Sequence, residues 1–507
     1  VQQGTSAFGF FCAMVTLLLA STSAGCKGLR DGARASGERP VEMLVSTDPE
    51  TLDPRYATDA VAMRTTRLIH AGLVRLDEQT LAPKPYLART WTWLDPLTLR
   101  IELAPGLRFH SGAKLTANDV VATLRAFGSK EVGSRHARVV EAIGAVTAES
   151  EFVVVVHLAR PHATLLTDLE LPILRASEAG SAPRPDGTLD GLGPFTVARR
   201  GPGEIVLQPF DGGPLPAPKH AVVLRTVHDE NARALRMHAD RADLVVNGFS
   251  PTLLPALEKA NGVVVSGREG ANLTYMLARN GDGPLADVRV RRALSMAIDR
   301  DGIARSLLAG HAQSASTLLP PSHWAHSPAE AWPFDPARAR IALAEAGYPH
   351  LRLTLLTSTD RLRGTIARVL AQELADVGVE LTVVPLELGA LLARLSAGDF
   401  ELATLQLPEL TEPNVLRVFL HSSSIPPNGA NRARIRDSEV DRLLDEGEAT
   451  ANPDARRVLY AALERRVRDE ALLLPLWHED QIAVASARAS AFRPSAEGRW
   501  LGLASLP

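Results

Sequence analysis

Asp287-Val288-Arg289-Val290-Arg291-Arg292-Ala293-Leu294-Ser295-Met296-Ala297-Ile298-Asp299-Arg300 is the stretch from which the rest of the chain can be read. Val290, Ala293, Leu294, Ala297 and Ile298 recur at helical spacing, which sets one apolar face against a core and directs Arg291, Arg292 and Ser295 elsewhere. Asp299-Arg300-Asp301-Gly302 interrupts that helix. Ile303, Leu307 and Leu308 then resume an apolar face that ends at Gly310, a natural C-terminal stop. The spacing predicts a docked helix pair that supports a core and makes no ligand contact.

Downstream of the pair the pattern alternates. Leu351, Leu353 and Leu355 read as a strand, Leu362, Ile366, Val369, Leu370, Leu374 and Val377 as a helix face, and Val379, Leu381 and Val383 as a second strand before Pro385. That βαβ order predicts a parallel sheet with a right-handed crossover, and ligands on such sheets sit beyond the carboxyl ends of the strands. Phe400 to Thr404 is the next strand, so the segment after it is where a ligand should be sought. Asp437 to Gly447 and Pro453 to Glu470 read as helices, and Leu472 to Trp477 as a buried strand.

Upstream, Met63, Leu68 and Ile69 belong to an amphipathic helix stopped at Gly72. Leu97, Leu99, Ile101 and Leu103 alternate with polar residues as a half-buried strand; Pro105-Gly106 turns it, and Leu107-Arg108-Phe109 should pair back. Thr116-Ala117-Asn118-Asp119 has the form of a capping box opening a helix through Leu124. The β-branched run Phe152 to Leu158 reads as a buried strand. At Gly191-Leu192-Gly193-Pro194 the glycines permit a positive φ and close backbone approach where the chain crosses between lobes.

At 507 residues the chain is too long for one compact core, and two or three lobes follow. Hydrophobic residues make up 45% and charged residues 22%, a soluble globular balance rather than that of a disordered or polytopic membrane chain. A net charge of −3 gives no reason to expect nucleic acid. Of the 55 basic residues only six are Lys, at 27, 84, 114, 130, 219 and 259, so Arg is the default cation and local Arg clusters say little about partners.

Phe8 to Ala20 is an uncharged apolar run, too short to span a bilayer and suited to a signal-peptide core. Leu17-Leu18-Leu19-Ala20-Ser21-Thr22-Ser23-Ala24-Gly25-Cys26 resembles a bacterial lipobox, in which the Cys thiol takes a diacylglyceryl group. Cys12 then leaves with the signal and Cys26 is committed to lipid, so an internal disulfide or thiolate zinc site has no cysteines to use. Residues 26–40 read as a tether without apolar periodicity.

The opening stretch closely resembles the "DVRVRQALxxAIDRxxI" signature of family 5 extracellular solute-binding proteins, the receptors of peptide and nickel ABC importers. The likeness runs from Val41 to about Trp477. Asp48-Pro49-Glu50-Thr51-Leu52-Asp53-Pro54 resembles "PxTLDP", Leu103 to Val120 resembles "LRPGVKFHDGxPLTAxDV", and Gly191 to Phe195 resembles "GTGPY". The resemblance implies a type II periplasmic-binding-protein-like α/β fold, three-lobed, with mixed sheets flanked by helices and a ligand cleft between lobes one and three. Lobe I would comprise 41–80, 190–270 and 480–507, lobe II 81–189 and lobe III 271–479, after a signal peptide over 1–25.

The same resemblance supplies the site. Past the Phe400 strand the family has "GWxxDxxDP", whose acidic residue four before the Pro binds the ammonium of peptide ligands. Glu409 stands four before Pro413, Gln406 replaces the family Trp, and Asn414 follows the Pro, so Glu409, Gln406 and Asn414 are the ligand-contact candidates. His323 and His326 are spaced for a helix-borne metal pair, yet Pro320, Pro321 and Pro328 make this a loop, and His478 beside Trp477 reads as packed. There is no metal motif, no G-x-S-x-G elbow and no Walker loop, so the chain reads as a receptor without cofactor or catalysis.

The implied function is capture of a peptide-like solute on the periplasmic side of the envelope and delivery to permease subunits. A membrane-anchored sensor of peptides or cell-wall fragments and a nickel or metallophore receptor are the alternatives. Buried acyl chains hold a protein on a membrane by about 0.8 kcal/mol per methylene. Cys26→Ala is therefore expected to release the protein into the soluble fraction, whereas recovery of the native protein fully soluble with an unmodified thiol would contradict lipidation.

Overall fold

A computed structural model describes residues 39–184, 186–328 and 332–507. The signal segment, Cys26 and the tether up to residue 38 lie outside the described residues. Among the described residues no helix is long and apolar enough to cross a membrane.

Three larger sheets organise the chain. A seven-stranded sheet runs, edge to edge, through Val263–Arg268, Gln481–Ser486, Leu244–Val246, Val41–Val45, Val222–Thr226, Glu204–Pro209 and Phe195–Gly201. A four-stranded antiparallel sheet contains Ala88–Asp95, Thr98–Leu103, Val153–Leu158 and Ile143–Ser150 in that order. A six-stranded sheet contains Ala312–Ser314, Leu474–Glu479, Leu273–Ala278, Leu402–Leu407, Leu351–Ser358 and Val379–Leu386. This is the mixed α/β class read from the sequence.

The six-stranded sheet carries helices on both faces, and its central strand shows why. Leu273-Thr274-Tyr275-Met276-Leu277-Ala278 is buried at every position. Met276 and Ala278 pack with Val290, Leu294, Ile298, Leu370 and Trp477 on one side, while Leu273, Tyr275 and Leu277 pack with Leu356, Ala403, Leu444 and Tyr460 on the other. A strand covered on both faces has no polar alternation to display. The βαβ reading holds: Leu351–Ser358 and Val379–Leu386 pair in parallel, joined by the Arg361–Ala375 helix, and Leu402–Leu407 joins the other edge of Leu351–Ser358, also in parallel.

The signature forms two helices, Val288–Met296 and Arg300–Ser306, capped by Asp287 and Asp299 through the Arg289 and Gly302 amides at 2.8 Å each. One part of the reading needs correction, because Arg291 and Ser295 do not face away from the core. Both are buried, and the Arg291 guanidinium donates to the carbonyls of Leu285 (2.8 Å), Ala286 (2.9 Å) and Ala471 (2.9 Å). Arg300 likewise donates to the carbonyls of Pro475 and Ser295, both at 2.8 Å, and to the Ser295 hydroxyl at 2.7 Å. Each planar fork of donors ties loop carbonyls that would otherwise be buried without partners.

Other local readings also shift. Thr98–Leu103 pairs with the upstream strand Ala88–Asp95 and with Val153–Leu158, so Leu107-Arg108-Phe109 does not fold back on it; Arg108 instead makes a single bridge to Lys114. Val153–Leu158 is interior to its sheet yet fully buried only at Val154, Val156 and Leu158, the alternation of a strand packed on a core through one face. The helix expected to stop at Gly72 ends at Ile69. A Cβ at Gly72 would collide with the Glu170 carbonyl, and Cβ atoms at Gly191 and Gly193 with the carbonyls of Ile69 and Leu68, so these glycines serve close packing and have no positive φ. The capping box at Thr116 is present, with the Asp119 carboxylate accepting from the Thr116 amide and hydroxyl at 2.9 Å each.

Arg291→Leu keeps the volume but leaves several buried carbonyls without donors. The expected cost is about 3 kcal/mol or more in denaturant unfolding. A loss below about 1 kcal/mol would show that the loop re-pairs without the guanidinium.

Candidate functional site

The chain passes between the seven-stranded and six-stranded sheets twice. Residues 269–272 join Val263–Arg268 to Leu273–Ala278, and Asp480 alone joins Leu474–Glu479 to Gln481–Ser486. The Asn272 side chain binds the second crossing directly, donating to the Glu479 carbonyl at 2.6 Å and accepting from its amide at 2.8 Å.

Over these crossings lies a cavity of about 1050 Å³, near the upper end of the roughly 300–1,000 Å³ usual for small-molecule pockets. Its walls come from both sheets: Asn247, Gln481 and Arg233 on one side, Asn272, Arg363, Gln406 and Glu479 on the other. Arg363 forms a two-pronged ion pair with Glu479 at 2.6 and 3.1 Å, and Thr274 (2.9 Å) and Trp477 Nε1 (3.1 Å) donate to the same carboxylate. Burial works against the Glu479 charge, but Arg363 overrides it and the pKa falls below the ordinary value. Arg233 is spent on backbone, donating to the carbonyls of Val227, His228 and Gly248.

A second chamber of about 470 Å³ is lined by Arg67, His162, Asp168, Glu170, Glu409, Glu412, Asn414 and Arg499. The exit of the Leu402–Leu407 strand therefore distributes the three candidates: Gln406 faces the larger cavity, while Glu409 and Asn414 line the second chamber. Glu409 and Glu412 have opposite fates. Glu412 is tied to Arg456, whose guanidinium lies 5.2 Å from the Trp324 ring and 5.5 Å from Tyr460, and it accepts from Thr167 at 3.3 Å. Glu409 is half-buried and, among the described residues, has no hydrogen-bond or ion-pair partner within 4.0 Å. The Asn414 side-chain oxygen accepts from the Tyr460 hydroxyl at 3.3 Å.

A charge cluster missed in the sequence stands beside these residues. Arg64 and Arg67 project from the Ala60–Ile69 helix, whose buried positions are Val61, Ala62, Thr65, Thr66, Leu68 and Ile69. Glu170 receives both Arg67, at 3.2 Å, and Arg499. Glu497 lies 3.6 Å from Arg499, and its burial raises its pKa to about 7. Burial and the neighbouring Arg67 and Arg64 push the Arg499 pKa well below its ordinary value, even though Glu170 stands against the guanidinium. Arg64 and Arg67 carried the only local signal, two arginines three apart, in a chain where Arg is the default cation.

Beside the chamber the segment that follows the Val153–Leu158 strand meets the Ser438–Ala449 helix. Glu448 pairs with Arg160 (2.5 Å), His162 (3.6 Å) and Arg417 (3.5 Å), and its carbonyl accepts from the Ala163 amide at 2.9 Å. His162 also meets Asp168 at 2.8 Å. His323 is buried in a loop, accepting from the Ala325 amide at 3.0 Å, and His478 is buried with Nδ1 on the Asn272 carbonyl. Among the described residues no group of three or more His, Cys, Asp and Glu could hold a metal ion.

Burial opposes the His162 charge, yet Asp168 and Glu448 outweigh it and hold the pKa up at about 9. The raised value means that the contact stabilises fully below the ordinary 6.5 and loses that contribution as pH climbs through about 9. Denaturant midpoints measured across this window should fall for the native protein and change less for His162→Gln; parallel curves would exclude His162 as the titrating group.

Residues 82–422 match the model of the bacterial extracellular solute-binding proteins, family 5 Middle. The chain is 23% identical over 505 residues to a probable di/tripeptide-binding protein 5 of Pseudomonas aeruginosa, covering 92% of this chain and 95% of that one. It is 25% identical over 478 residues to the glutathione-binding protein GsiB of Escherichia coli K12, covering 90% and 92%. The crystal structure of the ABC transporter substrate-binding protein CtaP from Listeria monocytogenes superimposes with a TM-score of 0.83 at 22% identity, over 92% of this chain and 98% of that one. With the family model matching about two thirds of its length, this chain belongs to the family 5 bacterial extracellular solute-binding proteins.

Proposed function

We propose that the chain is the membrane-tethered receptor of an ABC importer, capturing a short peptide-like solute outside the inner membrane and delivering it to permease subunits. Cys26 carries the lipid, and 41–80, 190–270 and 480–507 form the lobe that closes on 271–479. Glu409 takes the ammonium of the solute, with Gln406 and Asn414 as polar contacts in the two chambers. The observation that carries this reading is the contrast past the Leu402–Leu407 strand, where Glu412 is paired with Arg456 while Glu409 faces the chamber with, among the described residues, no hydrogen-bond or ion-pair partner and only the longer-range fields of Arg64 and Arg67. A carboxylate left unpaired in a closing cleft is a receptor for a cation. Relatives named for di- and tripeptides and for glutathione support peptide-like chemistry.

Closing the cleft would strip water from the pair, and breaking a buried ion pair costs about 3–5 kcal/mol. Glu409→Gln is expected to weaken trialanine binding by about a hundredfold or more in calorimetry. N-acetyl-trialanine should lose as much on the native protein and little further on the variant. Equal and independent losses would show that Glu409 never meets the amine.

A further inference from the structure

Arg64 differs from Arg67, Arg233, Arg363 and Arg499 around the cleft. Arg363 is paired with Glu479, Arg67 and Arg499 with Glu170, and Arg233 with three backbone carbonyls. Among the described residues Arg64 has no hydrogen-bond or ion-pair partner, and its Nε is buried with no acceptor. Its guanidinium carbon lies 5.9 Å from the centre of the Trp500 ring.

The surroundings hold the guanidinium in place without neutralising it. Asn247 and Gln481 are committed to one another and to the strand between them, since Asn247 donates to Gln481 and accepts from the Ile482 amide at 2.8 Å. Gly498 adopts φ +72°, and a Cβ there would come within 3.1 Å of Arg64 Nη2 and collide with Gln481, so no side chain can stand between Arg64 and this wall. Burial pushes the Arg64 pKa down, and Glu409 and Glu497, both beyond ion-pair distance, only partly restore it. Arg64 lines the larger cavity, while Glu409 lines the neighbouring chamber. An unpaired cation and an unpaired anion thus stand near one another at the boundary of two chambers.

Building on the peptide reading, we propose that Arg64 is a specificity-determining residue that receives a carboxylate of the solute, at its C-terminus or on an acidic side chain. Its guanidinium offers a planar fork of donors that a carboxylate can engage with two parallel bonds. The binding site is thereby bipolar, with Arg64 for the negative group and Glu409 for the positive one. Among the described residues Arg64 has no hydrogen-bond or ion-pair partner to lose, and a partly buried cation whose Nε lacks an acceptor costs the empty protein stability. The residue is kept at a cost to the unliganded fold, as expected of a group whose partner arrives with the ligand.

Native protein and Arg64→Gln are titrated with trialanine, trialanine amide and Ala-Glu-Ala amide, and their unliganded melting temperatures are compared. The native protein should prefer a carboxylate-bearing probe over trialanine amide by about ten- to a hundredfold, and Arg64→Gln should abolish that preference. Tight binding of trialanine assigns the terminal carboxylate, and tight binding of Ala-Glu-Ala amide assigns the side chain. Arg64→Gln should melt at the same temperature as the native protein or higher, and Arg64→Lys should recover part of the preference. If Arg64→Gln keeps the full preference, or if it melts well below the native protein, Arg64 does not receive a carboxylate and only this inference falls. If none of the probes binds the native protein, the peptide reading falls with it.

Discussion

Everything about the cleft depends on the two places where the chain leaves one large sheet for the other. Both crossings are short, they run side by side, and the Asn272 amide binds them together through the Glu479 backbone. Gly270 makes this possible, because a Cβ there would collide with the Asn272 amide and the Glu479 carbonyl. Asn272, Glu479, Asp480 and Gln481 are also walls of the larger cavity. The joint between the sheets and the wall of the cavity therefore share one set of residues, so whatever occupies the cavity would lie against the joint itself.

Arginine does two different jobs around that joint. Arg233, Arg291 and Arg300 are buried and spend their donors on main-chain carbonyls, stapling loops where regular pairing stops. Arg67, Arg363, Arg456 and Arg499 meet carboxylates. The long, always-charged side chain suits both tasks, since its five donors can satisfy several acceptors at once in a partly dry environment. Exposed pairs such as Arg352 with Glu380 add little to stability.

The parts of the fold that were legible in the sequence are those whose signal is local. The helical spacing from Val290 to Ile298, the strand–helix–strand pattern from Leu351 to Val383 and the Thr116 capping box each appear where the residues placed them. Misreadings arose where long-range packing decides. Nothing near Leu107 says that Thr98–Leu103 pairs with Ala88–Asp95 and Val153–Leu158, and nothing in the helical period says that Arg291 turns inward to reach carbonyls beside Ala471. The site divides in the same way. The strand exit carrying Gln406, Glu409 and Asn414 was visible as a segment, whereas the approach of Arg64 to Trp500 and the pairing of Glu170 with Arg499 join residues far apart in the chain.

The Glu479 carboxylate has one further consequence. It accepts from the indole nitrogen of Trp477, a fully buried ring, through the same oxygen that takes the shorter of the two Arg363 contacts. An indole hydrogen-bonded to a charge that lines the cleft lies in an electric field that changes when another charge enters. With only six tryptophans in the chain, Trp477 gives the protein a built-in optical gauge of what occupies the space between its sheets.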